Sequence, residues 1–213
     1  MRETFKNQRI RMNNIVQILK REYPDSKCSL LYDTPFQLLL STILSAQCTD
    51  ERVNKVTKKV FEKYPDANSI SNLSLSKICQ LIYSTGFYNN KAKNIKKMSQ
   101  EVCEKYNGEI PDDIDLLVKL PGVGRKTANV VLGNVFNQPA LVVDTHVTRI
   151  SNLLKFVKTQ NAVSIEKQLC KIVDKENWSI FAHLLIDHGR KICVANRPKC
   201  SECALSDFCP SSK

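Results

Sequence analysis

The sequence predicts an all-α protein, on three observations. Apolar residues recur at helical spacing through nearly the whole chain, several of these runs carry capping residues, and a single run reads as a strand. Thr34-Pro35-Phe36-Gln37 supplies a cap, a proline at the first helical position and a glutamine three residues after the threonine. The segment Leu38 to Ala46 that follows is apolar enough for a buried helix. Val53, Val56, Val60, Phe61 and Tyr64 mark the next helix and stop before Pro65. Ile78, Leu81 and Ile82 mark another, and Ala92, Ile95, Val102 and Tyr106 one more, closed by Asn107-Gly108. Val131, Leu132, Val135 and Phe136 form one face of a helix that begins near Arg125. Ala140-Leu141-Val142-Val143 is the strand-like run, too short and solitary for a sheet. The helical period resumes at Ile150, Leu153, Leu154 and Val157, then at Leu169, Ile172 and Val173, then at Phe181, Leu184 and Leu185. The expectation is nine or ten short helices and no sheet.

The chain has 213 residues, room for one large domain or two small ones. Its formal charge of +11 suits a polyanion, and nucleic acid is the commonest. No apolar run approaches the ~18–20 residues of a membrane span, and Met1-Arg2-Glu3-Thr4-Phe5-Lys6 lacks the apolar core of a signal peptide. A cytoplasmic protein with no membrane partner is expected. In that reducing compartment nine cysteines are not a disulfide framework. Cys28, Cys48, Cys79, Cys103 and Cys170 are scattered and are read as core or semi-buried thiols.

Two segments carry chemistry. In Leu120-Pro121-Gly122-Val123-Gly124 the glycines permit a tight turn that exposes backbone N–H groups, the means by which a short hairpin holds a phosphate. The same residues also make a compact connector. Arg125 and Lys126 tip the balance, because they place cations where a helix N-terminus already carries about half a positive charge. An arriving DNA phosphate removes that conflict. A nucleophilic lysine must be neutral. With a reference pKa near 10.4, only about one in a thousand is neutral around pH 7.4. Lowering the pKa to roughly 8 costs the ammonium about 3 kcal/mol. The helix terminus and Arg125 push in that direction, and partial burial of Lys126 would add to it. Asp144, eighteen positions on, opens a further helical pattern with Thr145-His146-Val147. It is a good N-cap and also a carboxylate suited to a reacting sugar. His146 is read as structural.

The second segment is Cys193, Cys200, Cys203 and Cys209, spaced C-x6-C-x2-C-x5-C within seventeen residues. Four clustered thiols in a reducing compartment indicate metal ligation. Zinc and a [4Fe–4S] cube both suit four thiolates. Arg190, Lys191, Arg197 and Lys199 crowd the same loop, so a metal there would stiffen a basic, DNA-contacting segment. There is also an internal echo. Leu81 to Ala92 parallels Leu117 to Ala128 as helix, Gly-containing turn, helix, and two such units could grip a strand at two points.

Together these motifs resemble the endonuclease III family of helix–hairpin–helix DNA glycosylases, from about Thr34 to Cys209. Leu120-Pro121-Gly122-Val123-Gly124-Arg125-Lys126-Thr127-Ala128 is similar to the family hairpin with its catalytic lysine, and Val142-Val143-Asp144-Thr145-His146-Val147 to the segment with its catalytic aspartate. The cysteine spacing is similar to that of the family's cluster loop, which implies one [4Fe–4S] cluster on Cys193, Cys200, Cys203 and Cys209, structural rather than redox-catalytic. Leu44-Ser45-Ala46-Gln47 resembles the loop whose glutamine fills the space left by an extruded base, with Cys48 where alanine is often found. A second wedge falls on Phe87, where the family typically has an aliphatic side chain.

The resemblance implies a six-helix barrel over residues 28–138, with the helix–hairpin–helix at about 115–135. It also implies a discontinuous helical cluster domain from residues 1–27 and 139–213, with the cluster loop at 193–209. The implied enzyme is a monomeric bifunctional glycosylase and AP lyase acting on damaged pyrimidines in double-stranded DNA, nucleoid-associated in a bacterium. Lys126 and Asp144 would be catalytic, with DNA contacts from Gln47, Phe87, Gly122, Val123, Gly124, Arg125, Arg197 and Lys199. Two other readings are separable from it. The adenine-specific mismatch glycosylases share the cluster but lack a lysine at position 126, and a non-enzymatic cluster protein would need neither Lys126 nor Asp144.

Overall fold

The computed structural model describes residues 3–212. Eleven α-helices are found among them, and no strand. In chain order they are α1 (Phe5–Glu22), α2 (Pro35–Ser45), α3 (Asp50–Phe61), α4 (Ala67–Ser71), α5 (Leu75–Ile82), α6 (Tyr88–Tyr106), α7 (Ile114–Leu117), α8 (Arg125–Asn134), α9 (Thr145–Leu153), α10 (Ala162–Ile172) and α11 (Trp178–Lys191). The all-α expectation holds. Two differences stand out. The pattern Met12, Ile15, Val16, Leu19, all buried, makes the 18-residue α1, absent from the helices expected above because its charged residues mask a narrow stripe. Residues 140–143 are buried but make no ladder, so this run is core-filling connector rather than strand.

Helix ends follow local chemistry. The Thr34 side chain accepts from the Gln37 amide at 3.3 Å, and the Gln37 side chain accepts in turn from the Asp33 amide at 2.8 Å. Helix α6 ends on Asn107 and Gly108 at φ 52° and 87°, where the Gly108 amide reaches back to the Val102 carbonyl at 3.0 Å. Such caps satisfy backbone groups that a helix terminus leaves open.

The chain forms two compact units. In the unit Cys28–Gln138, helix α2 is enclosed on every side, Phe36 to Leu44 being buried without a break. It packs against α3, α6 and α8, while α4 and α5 lie along α6. A helix with no exposed face over this length is a central one. The other unit joins the segment ending at Lys27 to the one beginning at Pro139. There α11 packs on α1 and α9, with Phe181, Leu184 and Leu185 fully enclosed. Arg11 of α1 ties down the C-terminal segment, donating to the carbonyls of Leu154 at 2.9 Å and Phe208 at 3.1 Å. Its guanidinium also pairs with Glu3 at 2.7 Å and lies 4.0 Å from the centre of the Phe156 ring.

Truncating the middle of α2 tests this layering. Leu39 is fully buried, so Leu39→Ala should cost about 2–5 kcal/mol in urea denaturation.

Candidate active site and cysteine loop

The Leu120–Gly124 turn sits between α7 and α8 and closes with the Val123 amide on the Leu120 carbonyl at 3.0 Å. Gly122 adopts φ 80°, and a Cβ there would lie 2.9 Å from Cβ of Asn94. Both the backbone and the space exclude a side chain. Val123 is buried and anchors the turn, while Gly122 and Gly124 are exposed. Gly124 occupies the cap position of α8 but has no side chain with which to cap it, and the first turn of α8 holds no acidic residue. Its amides and the side chains of Arg125 and Lys126 thus concentrate positive character on an open surface. Lys126 is exposed, so burial adds nothing to the effect of the helix terminus in the chain alone.

The echo segment has the same form. The end of α5, a 3₁₀ turn at Tyr83–Thr85, Gly86 at φ 69° and Phe87 at φ 48° lead into α6, again with no side-chain cap. Phe87 is 64% exposed. A bulky residue in left-handed backbone with its ring in solvent is costly on both counts. Gln47, just past α2, is likewise exposed at φ 53°.

Asp144 belongs to the other unit, as the N-cap of α9. Its Oδ1 accepts from the Val147 amide at 2.8 Å and its side chain is half-buried. The cap role is therefore real. Nearby, α9 and α11 approach so closely that a Cβ on Gly189 would fall 2.5 Å from Nδ1 of His146. His146 thus lines a helix crossing.

Cys193, Cys200, Cys203 and Cys209 all line one cavity of about 550 Å³. Among the described residues, no three His, Cys, Asp or Glu side chains converge as ligands for a single metal ion. Burial pushes the Cys193 thiol up, opposed by Arg149, whose Nη1 lies 3.5 Å from the sulfur. Burial likewise pushes up the Cys203 thiol. Buried thiols held protonated need a strongly cationic group to become thiolates. Four cysteines lining one cavity fit a polynuclear group in number. His188 stands at the wall, its Nε2 3.6 Å from Cys203 Sγ and its Nδ1 3.1 Å from the Tyr23 hydroxyl. Burial first, then Arg149, lowers its pKa to about 4, so the ring is neutral near pH 7.

The basic residues of this loop differ in their freedom. Arg197 is exposed, Lys199 lies 4.0 Å from Glu202, and Lys191 stands 5.1 Å from the centre of the Tyr23 ring. Motif reading did not find Arg149 or His188, which reach the cysteines from α9 and α11. It also missed Lys91 beside the Gln47 and Phe87 turns. Its signal was present: Lys91 keeps register with the buried Ile95, Met98 and Val102.

The turn geometry makes its own prediction. Gly122→Ala should lower stability by about 1–2 kcal/mol from the left-handed backbone alone, and the contact with Asn94 should raise that loss, read from the urea midpoint.

Comparison with known proteins agrees with these features. Residues 40–175 match the family model described as HhH-GPD superfamily base excision DNA repair protein. An Endonuclease III of Synechocystis is 48% identical over 204 residues, covering 95% of this chain and 93% of that protein. One from Bacillus subtilis is 48% identical over 188 residues, covering 88% and 86%. A solved structure of a trapped Endonuclease III–DNA covalent intermediate, an estranged-adenine complex, superposes with a TM-score of 0.91 at 45% identity, covering 96% of each chain. The chain belongs to the HhH-GPD superfamily of base excision DNA repair proteins, among its Endonuclease III members.

Proposed function

We propose that Lys126 and Asp144 carry the DNA glycosylase and AP lyase chemistry of this base-excision-repair enzyme, on damaged pyrimidines in double-stranded DNA. The observation that carries this assignment is the first turn of α8. Exposed amides with no side-chain cap and two adjacent cations stand one residue beyond a turn that only glycine can make. A phosphate bound by those amides brings the adjoining sugar to the amine. Relatives named Endonuclease III support the activity, and the 45%-identical protein trapped covalently on DNA supports a covalent route.

The chemistry then follows from the side chains. The neutral amine of Lys126 bonds to C1′ of the damaged nucleotide. The C1′–N bond breaks, and the base leaves with the bonding pair and takes up a proton. Opening of the sugar ring at O4′ yields a protonated Schiff base between C1′ and Nζ. A proton is lost from C2′, and the C3′–O bond breaks with its electron pair leaving on the phosphate oxygen. The strand is cut 3′ to the lesion, and water hydrolyses the imine to return the lysine. Asp144 stabilises the positive charge developing on the sugar and assists the proton transfers. Its Oδ1 is engaged by the Val147 amide, which holds the carboxylate in one orientation. Gln47 and Phe87 enter the duplex as the pyrimidine leaves the stack, an extrusion that otherwise costs a few kcal/mol. Gly122, Val123, Gly124 and Arg125 hold the backbone, and Arg197 and Lys199 extend the contact.

For the cysteine loop the assignment is one [4Fe–4S] cluster on Cys193, Cys200, Cys203 and Cys209. Its support is four cysteines lining one cavity, at the spacing of the family's cluster loop. When bound, the cluster supplies charge neutralisation for four thiolates and a fixed loop shape. Arg149 lies against Cys193, and neutral His188 walls off Cys203. The protein works as a monomer in the cytoplasm, at the nucleoid of a bacterium.

Borohydride reduction should link wild type covalently to abasic DNA, and Lys126→Gln should abolish the link while DNA binding persists. Wild type that binds without linking would mark a binding protein instead. Asp144→Asn should slow base release by about 10²–10⁴-fold. Purified protein should hold about four iron and four sulfide per chain, and Cys203→Ser should lower both. Stoichiometric zinc with no sulfide would contradict the cluster assignment.

A further inference from the structure

Lys91 lies in the first turn of α6 with 6% of its surface exposed. A buried cation at a helix N-terminus is opposed both by its own helix and by desolvation. Two backbone carbonyls, not a carboxylate, accept from it: Leu44 and Thr85, each at 2.8 Å. Leu44 is in the last turn of α2, and Thr85 ends the 3₁₀ turn Tyr83–Thr85. Terminal helical carbonyls lack partners within their own helix and favour a cation, so one ammonium closes two chain ends at once. Burial lowers the Lys91 pKa, opposed by the nearby Cys48 thiol.

The residues just beyond these carbonyls give the contact its meaning. Gln47 is three positions past Leu44, and Phe87 is two past Thr85. Both are exposed and both hold left-handed backbone, at φ 53° and 48°. Conformations of that kind persist only where their surroundings impose them. Further hydrogen bonds brace the same chain ends, from Ser45 Oγ to the Thr42 carbonyl and from Thr85 Oγ1 to the Ile82 carbonyl, both at 2.8 Å. The Lys91 ammonium is nonetheless the contact that joins the two turns to one point.

Resting on the assignment of Gln47 and Phe87 as the side chains that enter the duplex, we propose that Lys91 is a positioning residue for base extrusion. It sets the spacing of the two turns before DNA arrives, so that both side chains enter together. Cost is thereby moved from the binding event into the fold. Lys91 touches neither sugar nor base and takes no part in bond breaking.

Lys96 provides an internal control. It lies on the same helix and likewise donates to two carbonyls, Ser71 and Leu73, each at 2.6 Å, in the connection from α4 to α5. Lys91→Met and Lys96→Met should be compared by thermal melting, by single-turnover excision of thymine glycol paired with 2-aminopurine, and by strand cleavage at a preformed abasic site. Lys91→Met should slow excision about 10- to 100-fold and abolish the fluorescence rise that accompanies entry beside 2-aminopurine. Cleavage of the abasic duplex, where no base must be expelled, should stay within about threefold of wild type. Lys96→Met should keep excision within about threefold even where melting falls as far. Lys91→Arg, which retains cation and donors, should restore part of the excision rate. Should Lys91→Met not accumulate folded, Lys91→Gln carries the same comparison.

Equal slowing of excision and abasic cleavage by Lys91→Met, equal effects of the two Met variants on excision, or no effect of Lys91→Met overturns the proposal. Gln47→Ala and Phe87→Ala separate it from its premise. If both leave the fluorescence rise intact, the entry assignment is wrong; if both abolish it and Lys91→Met does not, the fault lies with Lys91.

Discussion

An α-helix that starts with neither a side-chain cap nor an acidic residue in its first turn, α8, is the constraint on which the rest depends. A helix of this length would ordinarily begin on Ser, Thr, Asp or Asn, with acidic residues in its first turn. Here it begins on Gly124, followed by Arg125 and Lys126. Other helices of the chain are capped by side chains, among them α2 by Thr34, α3 by Thr49 and α9 by Asp144. In the proposed complex the DNA phosphate supplies the anion this helix start lacks. Gly122 fixes the direction of those amides through a backbone that no other residue adopts cheaply, wedged against Asn94.

In the proposed reaction Asp144 serves fold and chemistry together. Its cap bond to the Val147 amide starts α9 and also holds the carboxylate in a single orientation. The cysteine loop follows a similar economy on a larger scale. Arg11 binds the Phe208 carbonyl beside Cys209, Arg149 lies against Cys193, and His188 stands between Tyr23 and Cys203. The loop is thus shaped by α1, α9 and α11 from outside its own sequence.

This difference in origin explains what could be read in advance. The hairpin, the Asp144 cap and the cysteine spacing are local patterns, each complete within a few consecutive residues, and so were legible in the sequence. Helix α1 was not, because Met12, Ile15, Val16 and Leu19 form a stripe only four residues strong amid charged neighbours. Lys91 left only the trace of its register with Ile95, Met98 and Val102, since a lysine is exposed by default and its burial depends on carbonyls 47 and six positions away. Ala140–Val143 carries strand-like residues, yet no partner strand exists among the described residues to pair with it.

The central claim is that one named amine forms the bond to DNA. Peptide mapping by mass spectrometry of the borohydride-reduced adduct with an abasic oligonucleotide tests it most directly. The sugar remnant should be found on the peptide containing Lys126, on its side-chain nitrogen. A remnant on the N-terminal amine, or on any other lysine, would contradict the account.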